Sequence, residues 1–124
     1  MNITSSHELR IHDLFNLVAL SILCVVDIVY LTLATDWAFI GSESLGSHHQ
    51  HLSNILLVGF TLYLLVDLVW VILVPRCVAS NPLAIIIHHL ACLLMTIIPW
   101  IEAQFSWHLA VNLLVEINTL MLTL

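Results

Sequence analysis

Lysine is absent from this chain and arginine occurs only at Arg10 and Arg76, so the net charge is −6 with histidine neutral. Neutralising phosphates takes a basic patch, which two arginines cannot build, and nucleic acid is excluded as a partner. A polybasic anchor on a membrane surface is excluded by the same scarcity. Charged residues of both signs make up 8% of the chain, where a soluble domain carries about 25%. Cysteine is sparse and odd in number: Cys24 and Cys92 fall in apolar runs, and Cys77 follows Arg76. No disulfide framework is implied. Cys77, beside a membrane segment, is either a palmitoylation target or an inert loop thiol. The chain also lacks a signal-peptide cleavage pattern after its first apolar run, which is about twice the length of a signal-peptide core. That run is therefore a retained helix.

What fills the chain is apolar side chains, at 61% of residues. Disorder requires low hydrophobicity, so the class that remains is an integral membrane protein. Four apolar runs, 14–34, 52–74, 83–101 and 108–124, are each of the order of the roughly 20 helical residues that cross a hydrocarbon core. The expected fold is all-α, a polytopic transmembrane helix bundle of about four spans forming a single domain over residues 1–124. The fourth run is still apolar at Leu124, so the domain is expected to be partial and to belong with further helices or a membrane partner. Pro75 and Pro82 bracket the loop between the second and third runs. Trp37, Trp70, Trp100 and Trp107 lie near run ends, at headgroup level. Arg10 and Arg76 flank the same side of the bundle, which the positive-inside rule makes cytosolic. The Asn2-Ile3-Thr4 sequon would then go unused.

Several polar residues fall within the spans, where a central charge costs about 2.5–3.5 kcal/mol on the insertion scale. Asp27, Asp67, His88, His89 and Glu116 must therefore face protein or water. Asn16, Asp27 and Tyr30 share one side of the first helix at 100° per residue, and Tyr63, Asp67 and Trp70 share one side of the second. On the third, His88 and His89 lie with Cys92 and Thr96; on the fourth, His108, Asn112, Glu116, Thr119 and Thr123 form a stripe. Asp67 lies about 10 Å from one membrane face and the histidine pair about 8–9 Å from the same face, so they can meet. Glu116 and Asp27 lie about 12 Å and 10 Å from the opposite face, a second level. Asp27, Asn112 and His108 read as interhelical glue. Asp67, His88 and His89 read as a functional site, because packing two helices needs only one polar group. His48, His49 and His51, with His7 or His12, show no fixed ligand spacing and read as a solvated loop. No metal and no cofactor are expected.

Asp67-Leu68, then His88-His89 with Cys92 one turn on, then Glu116-Ile117-Asn118-Thr119 resemble the TLC domain of ceramide synthases, translocating-chain-associating membrane proteins and other lipid-related proteins. The resemblance runs from about Asp13 to Leu124. In the ceramide synthases a threonine stands where Cys92 stands here, and a His-Asp motif follows in a later helix, where this chain carries Glu116-Ile117-Asn118-Thr119. The resemblance thus implies the non-synthase branch of the family.

It also implies a multi-pass protein of lipid homeostasis, in the endoplasmic reticulum or another endomembrane, that binds, senses or modifies a membrane lipid. The acyl tail would enter a helix-enclosed cavity, and Asp67, His88, His89 and Glu116 would meet the polar head. If chemistry occurs it is acyltransferase-like, with acyl-CoA as a possible donor, His88 or His89 as general base and Asp67 orienting the ring. Adjacent histidines point about 100° apart, so only one should reach a substrate. The alternative is a non-catalytic trafficking or translocon-associated protein. Lesser alternatives are a ceramide synthase-type N-acyltransferase and a haem cytochrome using His88 or His89 with His108.

Overall fold

A computed structural model describes residues 3–34, 50–79, 81–102 and 105–123. Among these residues all regular structure is helical: α1 is Ile3–Ala34, α2 Gln50–Leu73, α3 Pro82–Ile101 and α4 Ser106–Thr123, with a 3-10 turn at Pro75–Cys77. Three stretches, Ser6–Leu33, Gln50–Leu73 and Pro82–Ile101, are long and apolar enough to cross a membrane, as a multi-pass integral membrane protein requires. The 18-residue α4 is not among them. It occupies the position of the fourth apolar run, is the shortest of the four helices and carries the polar stripe.

The first helix begins eleven residues before the apolar run at Leu14 (14 − 3 = 11). Neither proline nor glycine interrupts the sequence from Ile3 to Ala34, so the helix has no reason to break where hydropathy changes. The extension carries His12 onto the same face as Asn16. Pro75 opens the 3-10 turn after α2, and Pro82 sits at the first turn of α3 behind the cap residue Asn81. The Asn81 side chain accepts a hydrogen bond from the Leu83 amide at 3.1 Å, satisfying one of the orphan donors of the first turn. Pro99 lies in the last turn of α3, and Ile101 ends the helix two residues later.

The four helices form a closed ring in which α1 packs against α4 and α2 against α3, with α1–α2 and α3–α4 completing it. The core is built from Leu20, Leu23, Tyr30 and Leu31 of α1, Leu56, Phe60 and Leu64 of α2, and Leu109 and Leu113 of α4. Lipid is as apolar as leucine, so helices associate there by close packing and not by hydrophobic transfer. Gly59 serves that packing, since a Cβ at this position would lie 3.2 Å from Leu23 Cδ2. The outward surface is apolar along the spans, with Leu14, Ile22 and Val25 at 60% exposure or more. Polar side chains instead turn inward: His12, Asn16, Asp27, Asp67, His89 and Glu116 are buried. Hydroxyls in the helices bond back to their own turns, as Thr32 does to Ile28 O and Thr96 to Leu93 O.

The Pro75–Cys77 turn packs on α1 as well as on α2. Cys77 is completely buried in it. Burial pushes its thiol above the ordinary range, and the nearby negative charge of Asp67 pushes it further. Of the two readings of Cys77, the inert thiol is the one that its burial supports, since an acyl chain cannot be attached to a sulfur without access to it.

Candidate functional site

The site begins with three one-turn spacings. His12 and Asn16 stand one above the other on α1, Tyr63 and Asp67 do so on α2, and His89 stands one turn after Ile85 on α3. Where the three helices meet, Asp67 is gripped from both sides. Its Oδ1 lies 2.7 Å from His12 Nε2 and its Oδ2 lies 2.8 Å from His89 Nε2. The carboxylate is only 1% exposed, so it is paired at both oxygens as a buried charge must be.

Donor and acceptor roles follow from the outer ends of the network. The Tyr63 hydroxyl donates to Asn16 Oδ1 at 3.2 Å. The Asn16 amide then lies 3.5 Å from both ring nitrogens of His12, the outer limit of a hydrogen bond. The short contact is the one to Asp67, whose carboxylate oxygen accepts, so His12 Nε2 carries the hydrogen that it donates there. At the other end His89 Nδ1 lies 2.8 Å from the Ile85 carbonyl, which only accepts, so Nδ1 is protonated. His89 Nε2 and Asp67 Oδ2 therefore need one further hydrogen between them. The pair is either imidazolium with carboxylate or imidazole with carboxylic acid, and it holds one transferable proton in both forms.

Aromatic rings wall this network. Trp70 meets the His12 ring edge-on at 5.6 Å and tilts against Phe15 at 5.4 Å, while Tyr63 lies 6.4 Å from the His89 ring. On the other side it borders a half-open cleft of about 330 Å³, lined by His12, Asn16, Tyr63, Asp67, His88, His89 and Glu116 with Ala84 and Ile85.

A second cluster faces the same cleft. His88 Nε2 lies 2.9 Å from Glu116 Oε1, with the glutamate side chain 5% exposed and the histidine 46%. The rings of His88 and His89 are perpendicular with centroids 5.6 Å apart, so the neighbours serve different partners. Cys92 completes the cluster, its sulfur 3.6 Å from His88 Nε2 and 4.0 Å from Glu116 Oε1.

No family model, curated protein or solved structure matches this chain.

Of the four residues expected at the site, the structure brings Asp67 to His89 and Glu116 to His88. The second level expected for Glu116 with Asp27 does not form. Glu116 joins the histidine level, whereas both carboxylate oxygens of Asp27 are buried without a hydrogen-bond partner among the described residues. His108 lies eight residues before Glu116, about 12 Å along α4. A shared iron between His88 and His108 is therefore out of reach. His48 and His49 lie outside the described residues, and His51 is exposed at the start of α2.

His12 is the residue that sequence reasoning misplaced. By spacing alone it groups with the loop histidines, yet it is 3% exposed and bound to Asp67. The signal was present, because positions 12, 16, 20, 23, 27 and 30 continue one face at steps of three and four. Hydropathy obscures it, because the helix starts well before the apolar boundary.

Proposed function

We propose that this chain is a TLC-type multi-pass protein of lipid homeostasis, resident in the endoplasmic reticulum or another endomembrane, that binds a membrane lipid by its polar head in the cleft beside Asp67 and His89. The observation that supports this most is the double grip on Asp67. An interhelical tie is satisfied by one histidine, worth about 0.6 kcal/mol on average in a membrane. Here a second histidine adds a transferable proton and places it at the edge of an open cleft. The His89–Asp67 pair donates to a carbonyl, phosphate or hydroxyl oxygen of the head, and the apolar flanks of the helices carry the acyl chains. Where the lipid is chemically modified, the same pair moves the proton by general acid–base chemistry. His12 holds the far carboxylate oxygen and so fixes which oxygen faces His89.

The test is photo-crosslinking in membranes with clickable fatty acid and sphingoid-base probes, normalised to protein abundance. Asp67→Asn and His89→Ala should each lose labelling of the cleft, and their double variant should lose no more than the stronger single one. Small, equal and additive losses would return these residues to a packing role. The near-complete burial of Asp67 favours one competing reading, a non-catalytic trafficking or translocon-associated protein held together by this network. That reading requires normal labelling per folded molecule in both variants.

A further inference from the structure

Independently of the lipid reading, we propose that His88, Cys92 and Glu116 form a binding site for one divalent metal ion of the zinc class. The three side chains bring a nitrogen, a sulfur and a carboxylate oxygen within 4.8 Å of one another. Two of them are set by α3 itself, because residues 88 and 92 are one turn apart and project from the same side of a rigid helix. The third comes from α4 across the interface.

The spacing is that of tetrahedral coordination. An ion bound to nitrogen at about 2.05 Å and to thiolate at about 2.3 Å holds those two atoms about 3.6 Å apart. His88 Nε2 and Cys92 Sγ stand 3.6 Å apart. The carboxylate oxygen should lie about 3.6 Å from the sulfur and about 3.4 Å from the nitrogen. It lies 4.0 Å and 2.9 Å away, so a shift of about half an ångström along the flexible glutamate side chain centres it.

Charge points the same way. Thiolate plus carboxylate carry two negative charges, and a divalent ion cancels them, leaving a neutral site at a depth where net charge is costly. The mixture of one soft, one borderline and one hard ligand suits zinc and its spectroscopic substitute cobalt, and not magnesium or calcium. The three ligands leave a fourth position, and they line a cavity of about 140 Å³ together with Thr96 and Asn112, which is room for a water molecule with polar partners.

The experiment uses the full chain purified in detergent micelles, with Zn²⁺ content measured by elemental analysis and binding by competition with a fluorescent chelator. Co²⁺ titration then reads the ligand set, because tetrahedral cobalt with a thiolate shows a sulfur-to-metal charge-transfer band in the near ultraviolet. One equivalent of metal and that band are expected. Cys92→Ser should abolish the band, and His88→Ala and Glu116→Gln should weaken Zn²⁺ binding by more than the about 10- to 100-fold that outer-shell losses cost. Cys24→Ser and Cys77→Ser should change neither readout, and circular dichroism reports whether each variant remains helical. Absence of bound metal in the wild-type chain, or a charge-transfer band that survives Cys92→Ser, overturns the site. These readouts contain no lipid, so neither outcome bears on the cleft chemistry proposed for Asp67 and His89.

Discussion

His12 Nε2 lies 2.7 Å from Asp67 Oδ1, although the two residues are 55 positions apart in the chain. The contact ties the amino-terminal part of α1 to the carboxy-terminal part of α2, and the turn at Pro75–Cys77 packs beneath it. A polar link of this kind can be worth a few tenths of a kcal/mol or several. What decides is whether removing one partner leaves a charge unpaired.

A double-mutant cycle measures that difference. His12→Ala should destabilise the wild-type chain by more than it destabilises Asp67→Asn, with a coupling above the roughly 0.6 kcal/mol of an average membrane hydrogen bond. The ceiling is the about 3–5 kcal/mol of an orphaned buried charge, which His89 keeps from being reached. Asp67→Asn should still insert, since a neutral amide is cheaper to bury than a carboxylate. Thermal unfolding in detergent gives the four stabilities, and simple additivity would contradict the pairing.

The adjacent histidines should behave differently. His89→Ala strips a partner from the buried Asp67 Oδ2 and should cost about 1–3 kcal/mol. His88→Ala leaves Asp67 untouched and instead strips the buried Glu116 of its histidine partner, so its cost should not depend on Asp67→Asn, whereas that of His89→Ala should. Melting of the two variants with and without Asp67→Asn checks this, and equal coupling of both rings to Asp67 would mean that they share one role.

Cys77 should resist thiol reagents in the folded protein. It is wholly buried, and burial together with Asp67 pushes its thiol up, so little thiolate is present at neutral pH. Labelling should be slow at pH 7, faster in alkali, and rapid in denaturant. The sign for stability follows from linkage: the folded state holds the thiol proton more tightly than the unfolded chain does. Its stabilising contribution is full below the unfolded value of about 8.5 and is lost as pH rises through the folded value. Mass spectrometry of alkylated peptides against pH reads the first effect, and labelling at pH 7 as fast as a free thiol would refute it.

Orientation can be tested in membranes. The amino-terminal region of α1 packs on the turn that carries Arg76, so Arg10 and Arg76 belong to the same end of the bundle, and positive-inside makes that end cytosolic. In a background lacking the three native cysteines, Ser44→Cys should react with an impermeant reagent only from the opposite, non-cytosolic side. Modification from the cytosol alone would reverse the topology.

Sequence was enough to determine the all-helical class, the positions of the apolar runs, the proline-bounded loop and the polar seam on each helix. These properties are local. Depth follows from a rise of about 1.5 Å per residue and azimuth from 100° per residue, and neither depends on what the helix touches. The same arithmetic placed Asp67 level with the histidine pair. It could not say which histidine Asp67 would take, because that depends on how far α3 is rotated against α2. It could not bring His12 into the site, because the helical extension before Leu14 acquires its burial only by packing on α2 and the Pro75–Cys77 turn. Nor could it send Glu116 to His88 and leave Asp27 apart, since that choice rests on which side of α4 faces α3 and which side of α1 faces the core. Tertiary structure decided these pairings, because a polar seam specifies an angle on one helix and a hydrogen bond requires two such angles to meet.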